Sequence, residues 1–243
     1  MYRNWYNEEL EYQYLDDQSL RFSVLPQNAS IQLNFSTVPQ YSAPSEVYQT
    51  GRSMGMNKTI NKSYNLTWDF PVDSMFYYLV RLHFCEFEPD ITEIRDRDFL
   101  IYIANQTAEK NADVISWSGG NGKPVYRDYV VFMLADPESQ KKVNLFLTLQ
   151  ANPNDWNTRY NDAILNGHEI FKINDSNSNL AGPNPIHLHT LQAVLHTNSK
   201  MTGPAPNSSE LETNPVEIFD ITLMPGLLTK NRDFLPKFRQ SLP

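Results

Sequence analysis

The chain has 243 residues, enough for one β domain of ordinary size followed by a tail, a division we favour over two small units. Hydrophobic residues make up 40% and charged residues 20%, which argues against a wholly disordered chain. The formal net charge of -8, with no Lys/Arg cluster among the aromatic segments, excludes nucleic acid and an anionic membrane as expected partners.

Neither end of the chain nor its single Cys indicates export. One Cys cannot form an intrachain disulfide, so it gives no evidence for an oxidising compartment. The N-terminus, MYRNWYNEELEYQ, lacks the features of a signal peptide. The longest apolar run, 129–135, is far shorter than the roughly 18 residues of a membrane-spanning helix. From these features alone we expect a soluble chain without a signal peptide or transmembrane segment.

Apolar and polar residues alternate repeatedly along the first 150 positions, a period-two pattern that is typical of β-strands with one buried face. Stretches rich in Gly, Asn and Pro, at 118–124 and 151–156, separate these segments and indicate turns. The pattern predicts an all-β antiparallel sandwich. The predicted strands are SIQLNFS (30–36), YNLTWDF (64–70), FYYLVRLHFCEFE (76–88), DFLIYIAN (98–105), YRDYVVFML (126–134) and KVNLFLTLQ (142–150).

The same alternation predicts which side chains form the core between two opposed sheets. The predicted core comprises Leu33, Leu66, Trp68, Val80, Leu82, Phe84, Ile101, Ile103, Val130, Phe132, Leu145, Leu147 and either Ile170 or Phe171.

The strand at 76–88 places His83 and Cys85 together on its second face. A thiolate–imidazole pair is one interpretation, but a catalytic Cys needs an accessible, electropositive site, and the sequence shows none. We favour a buried Cys that acts as a small hydrophobic residue beside a hydrogen-bonded His.

Asn166-Gly167 predicts a type I′ turn that closes a hairpin between DAIL and HEIFKI. The polar, Pro-terminated segment that follows predicts a domain boundary at residue 185. We expect 186–243 to be a poorly structured tail, because its central stretch has few large apolar groups. Within the tail, only 217–228 is apolar enough to form a short strand or helix against the sandwich.

No metal site is predicted. The acidic run EFEPDITEIRDRD at 86–98 has no calcium-loop spacing and contains Arg95 and Arg97, so we favour a solvated connection with ion pairs. His187 and His189 lack nearby Cys or carboxylate partners and are a weak zinc signal. We therefore expect no cofactor.

Asn-X-Ser/Thr sequons occur about twice as often as the composition gives by chance, which indicates a secreted glycoprotein. The alternative is an Asn-rich surface that carries no glycan. The candidate glycosylation sites are Asn28, Asn34, Asn57, Asn61, Asn65, Asn105, Asn174 and Asn207.

The sequence contains none of the common nucleotide-binding, hydrolase, metalloprotease or kinase motifs, and their absence favours binding over catalysis. The candidate ligand-binding residues are Trp156, Arg159 and Tyr160, in a predicted loop at one end of the sandwich. Aromatic rings stack on sugars or peptides, and Arg adds directed donors. Ordinary loop packing is the competing interpretation.

The segments YLVRLHFCE, ANQTAE, YNLTWDFPVDS and above all DAILNGHEIFKINDSNSNLAGPNP resemble the second malectin-like module of plant FERONIA/THESEUS-type receptor kinases. The resemblance begins at YRNWY, near Tyr2, and ends near Pro185. It implies a malectin-like, jelly-roll-like β-sandwich at the cell surface. It also implies as partners a cell-wall oligosaccharide or a rapid alkalinization factor peptide with a glycosyl-phosphatidylinositol-anchored co-receptor.

Two positions depart from the family pattern: Met75 stands where Gly is usual in D-S-G-F, and His168 where an apolar residue is usual. The kinase part of such receptors is absent from this sequence. We therefore expect a non-catalytic recognition module. The alternatives are a glycan-active or Cys-dependent enzyme on a sandwich scaffold, and a product without any ligand.

Overall fold

The computed structural model describes residue 5, residues 14–135, 142–154 and 158–173, and the backbone of residues 219 and 220. Strands joined by loops and short helices form the framework of this part of the chain. The strands are β1 (Arg52–Ser53), β2 (Leu66–Asp73), β3 (Phe76–Phe84), β4 (Phe99–Ile103), β5 (Gln106–Ala112), β6 (Val125–Met133), β7 (Lys142–Ala151), β8 (Ile164–Leu165), β9 (Gly167–Lys172) and β10 (Phe219–Asp220). The α-helices are α1 (Asp17–Phe22), α2 (Ser45–Gln49), α3 (Lys58–Asn61) and α4 (Val114–Ser118), and a 3-10 turn spans Gln40–Ser42.

The strands form two four-stranded antiparallel sheets that face each other, which confirms the predicted sandwich. One sheet has the order β10-β6-β3-β9 and the other β2-β7-β4-β5, while β1 and β8 form a separate short pair. The longest ladder pairs β3 with β6, from Phe76 opposite Met133 to Phe84 opposite Val125. Short connections favour antiparallel neighbours, as at the two-residue turn Ala104–Asn105 between the paired strands β4 and β5.

The core lies between the two sheets, where alternate residues of β2, β3, β4 and β7 are buried, as their period-two sequences predicted. Trp68 and Phe84 are almost completely buried at its centre. The predicted core residues that are buried are Leu66, Trp68, Val80, Leu82, Phe84, Ile101, Ile103, Leu145 and Leu147.

The predicted inward face of β6 was wrong. Tyr129, Val131 and Met133 are buried, whereas the predicted Val130 and Phe132 point outward and are half-buried. The register explains this, because Tyr129 pairs with Val80 and therefore shares the inner face with it. The sequence YVVFM is apolar on both faces, so alternation alone could not choose between them.

The predicted strand at 30–36 was also wrong, because these residues form an irregular segment, which is held to the distant β5–β6 connection by the bond from Asn34 N–H to the Gly122 carbonyl at 2.9 Å. Leu33 is half-buried there and packs on a second cluster around Tyr48 and Cys85. The prediction also placed either Ile170 or Phe171 in the core. Ile170 is half-buried and packs against the main core.

The predicted hairpin at Asn166-Gly167 does not form. Neither residue has the positive φ that a type I′ turn requires, and β8 pairs with β1 while β9 pairs with β3. Asn166 instead joins two segments with its side chain, accepting from Cys85 N–H at 2.8 Å and donating to the Thr50 carbonyl at 2.7 Å. A Cβ at Gly167 would lie 2.8 Å from Val47 Cγ1, so a larger residue there would require the Val47 side chain to move.

Met75 occupies a left-handed backbone conformation, with φ of 64°, in the turn between β2 and β3. Its N–H donates to the Met133 carbonyl at 2.6 Å, so the turn is tied to the end of β6. A side chain at positive φ is strained whereas Gly is not, so Met75 in place of the Gly of the expected family pattern has a backbone cost.

Residues 219 and 220 pair antiparallel with Val130 and Tyr129, within the segment for which the sequence allowed a short strand. The boundary at 185 and the rest of the tail lie outside the described residues. In the part of the chain that the structure describes, no helix is long and apolar enough to cross a membrane.

Candidate recognition surface at the loop end of the sandwich

Three long connections meet at one end of the sandwich, which we call the loop end. They are the β3–β4 connection (85–98), the β5–β6 connection (113–124) and the β7–β8 connection (152–163). Their meeting follows from the register, because Phe99 at the start of β4 lies opposite both Ala112 and Ala151. Loops on a rigid sheet scaffold are where recognition groups are usually displayed.

A buried ion network joins two of these loops. Arg97, from the acidic run, forms a two-pronged contact with Asp162, with Nε 2.9 Å from Oδ1 and Nη2 3.0 Å from Oδ2. Its Nη1 donates to Glu86 Oε2 at 2.6 Å, and Ser53 Oγ donates to Asp162 Oδ2 at 3.0 Å. Paired, hydrogen-bonded charges of this kind tolerate burial, whereas a lone charge does not.

The opposite charges of Arg97, Glu86 and Asp162 stabilise one another in the buried network. Burial raises the pKa of Glu86, and Arg97 opposes that rise. Burial alone would lower the pKa of Arg97, but Asp162 and then Glu86 raise it above its ordinary value. The acidic run contains ion pairs and an exposed middle, as its sequence indicated, but its two ends are not solvated, since Glu86, Arg97 and Asp98 are buried.

Carboxylates also fix the exposed part of the β3–β4 loop. Asp96 Oδ2 accepts from the N–H groups of Thr92 and Glu93, each at 3.0 Å. Asp113 Oδ2 accepts from the N–H of Arg95, which has a φ of 73°. These acidic residues act as backbone acceptors, and among the described residues no group of His, Cys, Asp and Glu could hold a metal ion. His187 and His189 lie outside that part of the chain.

The structure brings Arg159 and Tyr160 together at the loop end. Tyr160 N–H donates to the Asp96 carbonyl at 2.7 Å, which attaches the β7–β8 loop to the β3–β4 loop. The guanidinium carbon of the exposed Arg159 lies 5.4 Å from the centre of the Tyr160 ring, and Arg159 Nη1 donates to the Asp90 carbonyl at 3.3 Å. Trp156 lies outside the described residues.

Sequence reasoning missed the buried partners of Arg97 because Asp162 is 65 positions further along the chain. One signal was available: Arg97 and Asp98 come directly before the apolar strand FLIYI, at the point where a chain enters the core. A charge at such a point requires a partner.

Cys85 is not placed to act as a nucleophile. Its side chain is fully buried, and burial raises the pKa of the thiol to about 12. His83 is also fully buried, with Nδ1 2.9 Å from the Tyr48 hydroxyl and Nε2 2.9 Å from Glu169 Oε2. The arrangement fits a small buried thiol beside a hydrogen-bonded His, as the sequence favoured.

The candidate glycosylation sites differ in exposure. Asn34, Asn57 and Asn105 are exposed, and Asn28 and Asn65 are half-buried. Asn61 is 2% exposed, and its amide nitrogen donates to the carbonyls of Gly55 and Asn161, a geometry that does not fit the expectation of a glycan there. Asn174 and Asn207 lie outside the described residues.

Comparison with known proteins places this fold among receptor ectodomains. The family model for the malectin-like domain matches residues 2–173. The receptor-like protein kinase FERONIA of Arabidopsis thaliana is 47% identical over 192 residues, covering 76% of this chain and 20% of that protein. ANXUR1 of the same plant is 40% identical over 187 residues, covering 75% of this chain and 21% of that protein.

Solved structures show the same relationship. A crystal structure of the plant receptor-like kinase FER matches with a TM-score of 0.66 and 45% identity, covering 76% of this chain and 47% of that chain. A structure of the plant peptide RALF23 in complex with FER and LLG2 matches with a TM-score of 0.65 and 44% identity over similar shares. The chain thus spans about a fifth of the length of these kinases and about half of the solved ectodomains.

Proposed function

The chain belongs to the malectin-like domain family, and on this premise we propose that it is a non-catalytic recognition module that binds a signalling peptide together with a co-receptor protein. The proposal draws on the structure in which the similar ectodomain of FER is in complex with RALF23 and LLG2. The proposed partners are a peptide similar to RALF23 and a co-receptor protein similar to LLG2. Because the similar proteins are receptor kinases, the proposed location is the cell surface or extracellular space.

The observation that carries the proposal is the fixed pair of Arg159 and Tyr160 at the loop end. Both residues belong to types that dominate binding energy at protein interfaces. The backbone of Tyr160 is bonded to the Asp96 carbonyl, and Asp162 two positions later is held by Arg97, so Tyr160 has little conformational freedom to lose on binding. A preorganised Arg and Tyr suit a peptide that offers a carboxylate or carbonyl beside an apolar side chain.

Cell-wall carbohydrate is the second ligand class for the same surface. The half-buried Tyr160 ring has a face that can stack on a sugar, with Arg159 as a donor to its hydroxyl groups. The two classes share the residues but differ in what they require of Arg159. A peptide carboxylate gains from the charge of Arg159, whereas a neutral sugar needs only its hydrogen bonds.

The test is biolayer interferometry with the full 243-residue chain immobilised. The analytes are RALF23 alone, LLG2 alone, the two together, and neutral wall oligosaccharides. The test variant is Arg159→Ala/Tyr160→Ala. The matched control is Arg21→Ala/Tyr41→Ala, which removes the same residue types from exposed positions on other segments.

We expect binding of the peptide and co-receptor together, weakened at least about tenfold in the test variant and unchanged in the control. If an oligosaccharide binds tightly and neither RALF23 nor LLG2 binds, the ligand is a cell-wall sugar and the peptide proposal is wrong. If the two double variants bind with equal affinity, the loop end does not take part in binding. If the folded chain binds none of the analytes, the result would support the alternative that this protein has no ligand.

A further inference from the structure

A groove lies at the end of the sandwich opposite the loop end, and we call it the end groove. Both β4 and β6 start at the loop end, so the β4–β5 turn and the last residues of β6 meet at this opposite end, beside the first residues of β7. The volume of the end groove is about 450 Å³, within the range of sites for small ligands. Neither Arg159 nor Tyr160 lines it, so its role is independent of the recognition surface.

Apolar side chains that the fold covers only in part form the walls of the end groove. Leu134, directly after β6, is 50% exposed, and the rings of Phe132 and Phe146 are half-buried. The exposed Asn144 adds an amide to the lining, and its nitrogen donates to Asp69 Oδ2 at 3.0 Å. Aromatic rings beside hydrogen-bonding groups suit a sugar, which has an apolar ring face and polar edges.

A candidate glycosylation site belongs to the lining of the end groove. Asn105 is the first residue of the sequon Asn-Gln-Thr, and its side chain is exposed. It forms the two-residue β4–β5 turn with Ala104, at φ values of 62° and 50°. Ala104 N–H donates to the Phe146 carbonyl at 2.8 Å, which holds the turn against the strand that carries one of the rings. A glycan on Asn105 therefore starts at the groove itself.

This attachment favours the chain's own glycan over a free ligand as the occupant. A sugar tethered beside its site has an effective concentration in the mM range, so contacts too weak to hold a free sugar suffice to keep a tethered one in place. The other exposed candidate sites, Asn34 and Asn57, do not line the end groove. Only a glycan on Asn105 has this advantage among the exposed sequons of the described residues.

We propose that the end groove holds the first N-acetylglucosamine units of a glycan attached to Asn105, with an apolar sugar face against Phe132 and Phe146. The docked sugars cover Leu134 and these two rings, and the acetamido groups lie at the polar rim near Asn144. The glycan thereby acts as a part of the fold, in contrast to a glycan that only projects into solvent.

The first test measures how well the fold protects each glycan. The full chain is expressed with an added secretion signal in plant cells treated with a mannosidase inhibitor, so that all glycans are of the high-mannose type. Endoglycosidase H, which cuts between the two N-acetylglucosamine units, is added to the folded protein, and mass spectrometry follows release at Asn105 and Asn57. The variants are Phe146→Ala and, at an exposed position, Leu134→Ser. The matched control is Phe171→Ala, another half-buried Phe, which does not line the end groove.

We expect release at Asn105 to be at least about tenfold slower than at Asn57 in the folded chain and equally fast after unfolding in urea, because the enzyme reaches only the undocked glycan. Phe146→Ala and Leu134→Ser should each reduce this ratio at least about threefold, and Phe171→Ala should leave it unchanged. Equal release at the two sites of the folded wild type, or an Asn105 that carries no glycan, would overturn the proposal.

The second test measures the effect of the glycan on thermal unfolding. Thr107→Ala removes the Asn105 sequon and Thr59→Ala removes the Asn57 sequon, and both Thr residues are exposed. The same variants made without glycans in bacteria supply the baseline. Beyond this baseline, Thr107→Ala should lower Tm by at least about 2 °C and Thr59→Ala should not change it. In the Phe146→Ala background, Thr107→Ala should have no effect of its own, since the docking contact is already lost. An equal loss in both backgrounds would show that the glycan stabilises the chain without docking and would refute the proposal.

Discussion

Arg97 and Asp162 form a two-pronged contact between two loops that are 65 positions apart, and both side chains are buried. Glu86 receives the remaining charged contact of Arg97 at 2.6 Å. The loop end therefore rests on a salt bridge inside the protein, and its shape depends on three residues that no ligand can reach directly.

Removing Arg97 should destabilise the fold strongly. In Arg97→Met, the carboxylates of Glu86 and Asp162 remain buried without their partner, so we expect a loss of about 3 to 5 kcal/mol in the free energy of unfolding. Urea denaturation followed by circular dichroism measures this loss. The control Arg159→Met, at an exposed position, should change stability by less than about 0.5 kcal/mol. Similar losses in both variants would contradict the role of the network.

Replacing Met75 by Gly should stabilise the protein. The left-handed backbone costs a side chain roughly 1 to 2 kcal/mol, while Gly adds entropy to the unfolded chain worth about half of that. We expect Met75→Gly to raise the free energy of unfolding by about 0.5 to 1 kcal/mol in the same assay. Met75→Ala keeps the strain and should bring no gain. If Met75→Ala also raises the free energy of unfolding, the stabilisation comes from removing the Met side chain and not from relief of backbone strain.

The corrected inner face of β6 can be tested with two neighbouring valines. Val131 is fully buried and Val130 is half-buried on the outer face, so the same change has different consequences. Val131→Ala should cost about 2 kcal/mol and Val130→Ala less than half of that. Thermal and urea unfolding both measure the difference. A larger loss in Val130→Ala than in Val131→Ala would show that the originally predicted face of β6 points inward.

Cys85 should make the protein less stable at high pH. Its thiol has a pKa of about 12 when folded, so between roughly pH 9 and pH 12 the unfolded chain loses this proton while the folded chain keeps it. Stability must then fall as pH rises through this window.

Tyr64 and Tyr78, whose pKa values burial also raises to about 12, contribute a fall of the same sign. The difference between the wild type and Cys85→Ala isolates the thiol, and it should shrink by up to about 1.4 kcal/mol per pH unit above the unfolded pKa. At pH 8 the native thiol should resist a disulfide reagent until the chain unfolds in urea. A rapid reaction of the folded protein would restore the Cys-dependent enzyme as an alternative.

Glycosylation should follow exposure of the Asn side chain. When the chain is expressed with an added secretion signal in plant cells, we expect glycopeptides at Asn34, Asn57 and Asn105 and none at Asn61. Mass spectrometry of the digested protein measures the occupancy of each site. A fully occupied Asn61 in folded protein would contradict its buried amide geometry.

Strands with one polar face were predictable from sequence, because β2, β4 and β7 bury every second residue. The face of β6 was not, since Tyr129 to Met133 are apolar on both sides and only the pairing with β3 decides. The segment 30–36 alternates like a strand but pairs with neither sheet, and no local rule supplies or removes a pairing partner.

The candidate site was predictable in type and only partly in detail. Arg159 and Tyr160 were proposed from their residue types in a loop, and their role in binding stays a prediction; the structure adds that the guanidinium carbon lies 5.4 Å from the centre of the Tyr160 ring. The support beneath them was not identified, because the pairing of Arg97 with Asp162 is a tertiary contact. Alternation predicted the antiparallel sandwich, and the resemblance to a known family added its malectin-like, jelly-roll-like type and the proposed partners.

The pairing of β1 with β8, Arg52 opposite Leu165, sets an order on the synthesis of this protein. Residue 165 leaves the ribosome 113 residues after residue 52, which at about 5 to 20 residues per second is a delay of roughly 6 to 23 s. Strands β2, β3 and β4 leave the ribosome within that interval, each before at least one of the strands that pair with it. Contacts of such long sequence separation also slow folding. The nascent chain therefore exposes apolar strand faces to chaperones at least until β9, which pairs with β3, has left the ribosome.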